Sequence, residues 1–305
     1  MVYSHHSHSG QFCAHAKDTL EDIVLAAISK GFQSFALTEH IPRPLVDFYP
    51  EEQEHHTEES LSKLFDDFTA EAARLKDLYS SKIRLFVGFE SEWIRPSTVD
   101  IIRGLLAKYA FDFFLGSVHH VHTIPIDFDK TFYEKAREKA GGTDERLFED
   151  YFDSQYEMLQ ALRPPVIGHF DLIRLFSDAP NANFEGLKGV WERIQRNLEY
   201  IASYDGILEL NSSALRKGLA QPYPCLPICQ LFLKRGGRFT ISDDSHGVEQ
   251  VGTNYSRLLE FIRNAGIQRI HYADGSALRS NSRFPNASFS SIAVCDLAQH
   301  PFWIR

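Results

Sequence analysis

The chain has 305 residues, of which 43% are hydrophobic, 24% charged and 13% aromatic, and its formal net charge is −9 at pH 7. This composition is typical of a soluble globular protein, and the acidic balance excludes a general binder of nucleic-acid backbones, which would carry basic patches. No apolar run approaches the roughly 20 residues that span a bilayer, and the polar, histidine-rich start lacks the apolar centre of a signal peptide. We therefore expect a cytoplasmic protein with no nucleic-acid partner and no membrane partner.

Histidine is the residue type in excess, with 14 copies, several of them within the first fifteen positions. His6 and His8 are two positions apart on an extended segment, so their rings point to the same side and can bind one metal ion. His15 follows in the motif FCAH. The four cysteines are too scattered for a disulfide framework or a zinc knuckle, and we expect them to be reduced packing residues.

The rest of the chain alternates between strand-like segments and segments of helical period, which favours a parallel sheet or barrel. Helices are predicted over residues 19–30, 61–79 and 99–109, and a polar loop over 51–60. Strands are predicted over residues 33–38, 83–89, 111–118, 165–168, 206–210 and 238–242. The lack of internal repeats and of a dividing linker indicates one domain over 1–305, with candidate insertions above the site at 41–60 and 123–146.

The six predicted strands end in side chains that bind metals or carry an amide. In chain order these are His40, Glu90, His119, His169, Asn211, and Asp244 with His246. Because the carboxyl ends of barrel strands converge on one face, we expect these side chains to lie close together.

Together with the amino-terminal histidines, the candidates number seven histidines, one glutamate and one aspartate. A single catalytic zinc takes three protein ligands plus water, so more than one ion is predicted, with Glu90 as the carboxylate that bridges two of them. Two ions about 3.5–4 Å apart can share a hydroxide that attacks phosphorus. A closed structural zinc site is disfavoured, and a protein that binds metal without turnover stays open as an alternative.

The motifs HSHS with FCAH, TEHIPR, VGFESEW, GSVHH, IGHFD, NSSALRKG and SDDSHG extend from His6 to about Gly252. Together they resemble the histidinol phosphatases of the PHP (polymerase and histidinol phosphatase) family. The resemblance implies an α/β fold, a distorted TIM-like barrel of seven βα units, and three divalent metal ions, with zinc expected and iron or manganese as alternatives. The ligands it implies are His6, His8, His15, His40, Glu90, His119, His169, Asp244 and His246.

The activity implied by the resemblance is hydrolysis of L-histidinol phosphate to L-histidinol and phosphate, a step of histidine biosynthesis. A hydroxide between two ions would attack phosphorus, and Asp244 or His246 would act on the leaving group through a metal-bound water. The expected partner is thus a small phosphomonoester. A different small phosphate or a nucleotide is an alternative substrate, and a polymerase-associated PHP module is disfavoured by the acidic charge and by the lack of polymerase sequence.

Five residues are predicted to bind the substrate. Arg216 and Lys217 match the family's LRKG-like segment and can hold phosphate oxygens, and Arg43 in TEHIPR is a second candidate cation. Asn211 either donates to a phosphate oxygen or caps the following turn. His122 lies beyond its strand, where it can contact the substrate.

Three further residues near the motifs are not predicted to bind metal. Strand alternation places His5 and His120 away from the face that their neighbours occupy. Glu39 precedes His40 where much of the family has aspartate, and we expect it to orient a ligand imidazole.

Overall fold

The structure, a computed structural model, describes residues 1–275 and 288–304. Its strands are β1 (Tyr3–Ser4), β2 (Ser34–Leu37), β3 (Arg84–Glu92), β4 (Phe113–Ser117), β5 (His120–Val121), β6 (Ile124–Pro125), β7 (Val166–Ile167), β8 (Ile207–Asn211), β9 (Arg238–Ser242), β10 (Arg269–Ala273) and β11 (Phe289–Ala293). Its helices are α1 (Leu20–Ser29), α2 (Pro50–Gln53), α3 (Glu58–Leu78), α4 (Thr98–Lys108), α5 (Lys130–Lys139), α6 (Asp144–Leu162), α7 (Lys188–Ser203), α8 (Ser213–Arg216), α9 (Leu226–Lys234), α10 (Tyr255–Asn264) and α11 (Val294–Leu297). Among these described residues, no helix is both long and apolar enough to cross a membrane.

Seven strands form one parallel sheet in the order β1-β2-β3-β4-β7-β8-β9. Its two outer strands meet just beyond their ends, where the His8 backbone N–H donates to the Ser245 carbonyl at 2.8 Å. The Ser4 hydroxyl also donates to the Asp243 carboxylate at 2.8 Å. The sheet therefore curls into a nearly closed barrel, which confirms the predicted α/β fold with seven parallel strands.

The helices cover the outer face of this sheet. Ile23 and Val24 of α1 are buried in the same apolar cluster as Phe35 and Leu37 of β2 and Phe89 of β3. A parallel sheet must be covered by such helices, because neither of its faces is polar enough to meet water.

The barrel interior divides into an apolar layer and a polar layer along each strand. Phe86 of β3 and Phe113 of β4 belong to a second buried cluster, against which Ala273 and Phe289 of the antiparallel hairpin β10–β11 pack. Side chains of a strand alternate between faces, so Glu90 points into the same interior as Phe86, four residues further along. The hairpin, which the sequence analysis did not predict, closes the apolar end and leaves the polar end as the site.

One connection differs from its prediction, and a second contains more regular structure than its polar composition indicates. The stretch 51–60 is not a loop: α2 begins with Pro50, and α3 begins at Glu58 because the Thr57 side chain accepts the Ser60 N–H in a capping box. The segment 123–146 contains β6, the ten-residue helix α5 capped by Asp129, and the start of α6. Local capping residues thus order both segments more than their polar composition indicates.

The close approach of β3 and β4 makes a prediction about two glycines. A Cβ added at Gly88 would collide with the Phe113 carbonyl oxygen, whereas one added at Gly104, exposed on α4, would meet nothing within 4 Å. We expect Gly88→Ala to lower the free energy of unfolding by about 1–3 kcal/mol and Gly104→Ala to raise it by about 0.5–1 kcal/mol. Urea unfolding at fixed metal content measures both. Equal effects of the two substitutions would contradict this strand spacing.

Candidate metal centre

The nine predicted metal ligands lie together at the carboxyl ends of the barrel strands. Eight of them are carried by β3 or by the residues that follow β1, β2, β4, β7 and β9: His6, His8, His40, Glu90, His119, His169, Asp244 and His246. His15 lies before α1 at the mouth of the site, with a side chain that is 42% exposed. Its ring centroid is 5.4 Å from that of His40 and 5.1 Å from that of His246.

The Glu90 carboxylate is at the centre of the cluster and only 1% exposed. Its Oε2 lies 3.2, 3.4 and 3.2 Å from ring nitrogens of His6, His8 and His40. Its Oε1 lies 3.3 and 2.8 Å from Nε2 of His119 and His169. One carboxylate thus faces imidazoles that come from four different places in the barrel wall.

Asp244 is the second carboxylate of the cluster. Its Oδ1 lies 3.7, 3.5 and 3.6 Å from ring nitrogens of His6, His8 and His246. The His8 ring lies between those of His40 and His246, with centroid distances of 4.3 and 4.4 Å. The two carboxylates therefore approach His6 and His8 together.

Several overlapping sets of side chains place their ligand atoms within 4.8 Å of one another. Among the described residues these sets are Cys13, His15, His40 and His246; His6, His8 and Glu90; His8, Asp244 and His246; His40, Glu92 and His119; and Glu90, His119 and His169. Glu90 belongs to two sets, as expected for a carboxylate that bridges two ions. Cys13, predicted to be a reduced packing residue, places its thiol 3.2 Å from His15 Nε2.

The donor atoms fit metal ions. Six buried ring nitrogens of the predicted ligands make no hydrogen bond in the described structure: Nε2 of His6 and His8, both nitrogens of His40, and Nδ1 of His119 and His169. A buried polar atom without a partner destabilises a protein, and a cation in the cluster would supply the missing partner. Imidazole and carboxylate donors suit zinc, iron and manganese.

The electrostatics of the cluster also favour bound cations. Burial disfavours a charge on His8 and on His119, but hydrogen bonds and charges of nearby carboxylates outweigh burial and raise both pKa values to about 9. Burial and the adjacent His8 lower the pKa of His40 to about 3. For Glu90 burial acts in the opposite direction, yet the surrounding imidazoles hold its pKa well below the usual value. The carboxylates thus make the pocket negative, and without metal ions their charge is balanced in part by protons on His8 and His119.

Two carboxylates hold the ligand rings from behind. Glu39, predicted to orient a ligand imidazole, lies 3.3 Å from His8 Nδ1 and accepts the Ser9 N–H at 2.7 Å. Glu209 of β8, fully buried, lies 2.7 Å from His6 Nδ1 and accepts the His169 N–H at 2.7 Å. Glu209 is not among the predicted site residues, although it lies two residues before Asn211 and hence on the same strand face.

Glu92 is a second buried carboxylate of the site that was not predicted. β3 continues three residues beyond its predicted end, so Glu92 faces the site two positions after Glu90, with Oε1 3.2 Å from His40 Nδ1. Its other oxygen accepts a hydrogen bond from Arg43. The Arg43 guanidinium also donates to both carboxylate oxygens of Glu52, at 3.0 and 2.6 Å. Arg43, predicted to bind substrate, is thus engaged by two protein carboxylates.

The other four predicted substrate residues lie in different surroundings. Arg216 and Lys217 line the cavity above the cluster, and Arg216 donates to the carbonyls of the two residues after β9, at 3.2 and 3.0 Å. Asn211 is buried, with Nδ2 3.1 Å from Glu209 and 3.2 Å from Asp244, so it contacts carboxylates below the cavity. His122 Nε2 lies 2.7 Å from Oδ2 of an acidic residue on α6, away from the cavity wall.

A cavity of about 330 Å³ opens above the ligands. Besides the predicted ligands and the two cations after β8, its wall is formed by Tyr49, Asp127, Phe128, Leu172 and Gln250. Tyr49 comes from the segment 41–60, and Asp127 and Phe128 come from 123–146. Both candidate insertions therefore contribute to the wall of the site.

Comparison with known proteins identifies the family of this arrangement. The model of the PHP domain matches residues 4–213. A Schizosaccharomyces pombe protein named "Probable histidinol-phosphatase" is 50% identical over 270 residues, which cover 88% of each chain. The histidinol-phosphatase of Saccharomyces cerevisiae is 34% identical over 99% of each chain.

A solved structure agrees with the fold. Histidinol phosphate phosphatase of Lactococcus lactis, in complex with zinc, L-histidinol and phosphate, superposes with a TM-score of 0.66 over 88% of this chain and 95% of its own, at 20% identity. The barrel, the ligand cluster at its carboxyl end and the family match over most of the chain lead to one assignment: this chain belongs to the PHP domain family.

Proposed function

We propose that this chain is a metal-dependent phosphomonoesterase that hydrolyses L-histidinol phosphate to L-histidinol and phosphate. The observation that carries the reaction class is the buried Glu90 carboxylate shared between two sets of metal ligands at the bottom of an open cavity. The substrate is supported by the two relatives named above, which are aligned with most or all of the chain.

We further propose three ions, most consistent with zinc, held by the nine ligands named above. Divalent ions in this cluster would activate a water nucleophile and neutralise charge on the phosphate oxygens. Glu90 would bind two ions at once, because each of its carboxylate oxygens faces a different set of imidazoles. Arg216 would donate to phosphate oxygens from the cavity wall, where its guanidinium is positioned by two backbone carbonyls.

Removal of the metal ions should abolish the reaction reversibly. After dialysis against a chelator, we expect phosphate release from L-histidinol phosphate to disappear, and added zinc to restore it as occupancy approaches three ions per chain. Elemental analysis with parallel rate measurements checks both quantities. Full activity with less than two bound ions would contradict the multinuclear site.

Loss of the central carboxylate charge should stop turnover while leaving the fold intact. Glu90→Gln keeps the shape but removes the charge that faces the imidazoles, so we expect kcat to fall by about two to four orders of magnitude. The matched control is Glu59→Gln on α3, an exposed position, which should leave kcat unchanged. Near-normal phosphatase activity of Glu90→Gln at equal metal content would refute the bridging role.

Zinc binding should release protons. His8 and His119, with pKa values raised to about 9, are protonated in the metal-free site at pH 7.5, whereas a metal-bound imidazole is neutral. The two carboxylates, whose pKa values are lowered, are already ionised and contribute no proton. We expect release of about two protons or more per site, measured by titration calorimetry in buffers of different ionisation enthalpy. Binding without proton release would contradict these charge states.

A further inference from the structure

The cavity wall carries one acidic side chain that none of the metal-ligand sets contains. Asp127, half-buried in the connection between β6 and α5, lines the cavity. Across residues 1–275 and 288–304, no side chain lies within ion-pair or hydrogen-bond distance of its carboxylate, whose charge acts at longer range on the ligand His119 and helps to raise its pKa. A carboxylate that faces a binding cavity without a protein cation is free to pair with a cation of the ligand.

The neighbourhood of Asp127 is aromatic. The ring of Phe128 stacks on that of Tyr49, with centroids 5.9 Å apart and planes 22° from parallel. Tyr49 in turn lies 5.3 Å from the ring of His120, the neighbour of the ligand His119. Asp127 and the two rings therefore form one wall of the cavity, on the β4 side.

The cationic side chains of the cavity wall come from a different part of the barrel. Arg216 and Lys217 follow β8, which is separated from β4 by β7 in the sheet order. A ligand between these walls meets metal ligands below, cations on the β8 side, and a carboxylate with flat apolar rings on the β4 side. This pattern matches a phosphate monoester that also carries an ammonium group and a ring.

We propose that Asp127 determines specificity by binding the ammonium group of an amino-alcohol phosphate, while Phe128 and Tyr49 contact the ring of the same substrate. The inference rests on the proposed function and names the part of the substrate that each wall recognises. The same carboxylate repels additional phosphate groups, so nucleoside di- and triphosphates are disfavoured by charge.

The test compares Asp127→Asn with the wild type on two substrates that differ by one amino group, L-histidinol phosphate and 3-(imidazol-4-yl)propyl phosphate. For L-histidinol phosphate we expect KM to rise at least about tenfold with kcat within about twofold, because a half-buried charge pair is lost. For the analogue we expect kcat/KM to change by less than about twofold. Glu249→Gln, which removes one exposed negative charge beside Gln250, should leave both substrates unaffected.

A second measurement needs no variant. L-Histidinol should inhibit the wild-type enzyme at least about tenfold more strongly than 3-(imidazol-4-yl)propanol, since only the former carries the ammonium group. Equal inhibition by the two alcohols, or an equal loss on both phosphates in Asp127→Asn, would overturn the proposal.

The proposed function fails by a different result. A wild-type enzyme that hydrolyses L-histidinol phosphate no faster than p-nitrophenyl phosphate would refute the substrate itself. A wild type that prefers L-histidinol phosphate, together with an Asp127→Asn variant that retains the full preference for the amino group, would refute only the role of Asp127.

Discussion

The charge of the Glu90 carboxylate, buried at the carboxyl end of the barrel, is the constraint on which the rest of the site depends. A carboxylate out of contact with water loses its hydration and must find compensating charge nearby. Here ring nitrogens of five histidines lie within 3.4 Å of its two oxygens. Protonated imidazoles can compensate it in part, whereas divalent ions do so while satisfying the unpaired ring nitrogens as well.

The acidic side chains around the cluster give the site its rigidity. Glu39 and Glu209 contact Nδ1 of His8 and His6, behind rings whose Nε2 faces Glu90. Asn211 joins Glu209 to Asp244, and Glu92 lies beside Glu90 against the same nitrogen of His40. Partners of this kind fix which nitrogen of an imidazole faces the metal and so tune both affinity and geometry.

The barrel interior separates an apolar layer at one end from the ligand cluster at the other. Apolar side chains such as Phe86 and Phe113 fill one end, and the hairpin β10–β11 packs against that layer. His5 belongs to this layer and not to the outside of the barrel: its ring nitrogens contact Thr240 Oγ1 at 2.6 Å and the Ala273 N–H at 3.1 Å. The prediction that His5 does not bind metal is consistent with these contacts, which lie away from the ligand cluster.

The extent to which the site could be predicted depended on where each strand ends. Ligands such as His40 and His169 directly follow apolar strands, so their places at one barrel end could be inferred. Glu92 is the last residue of β3 and Glu209 lies within β8, so their contacts with the ligand rings follow only once the strand ends and the inward faces are known. The helices at 50–60 were missed because polar capping residues favour both loops and helix starts.

The sequence by itself determined the alternation of strands and helices and placed imidazole and carboxylate side chains at the strand ends, because these follow from residue type and period. The motif resemblance completed the predicted ligand set, and the binding of more than one metal ion stays a prediction. The tertiary structure alone decided which nitrogen faces which oxygen, that Arg43 is held by Glu52 and Glu92, and that Asp127 faces the cavity with no ion pair to another described residue. Such contacts join residues far apart in the chain, and their distances depend on how the sheet curls and closes, which no local pattern encodes.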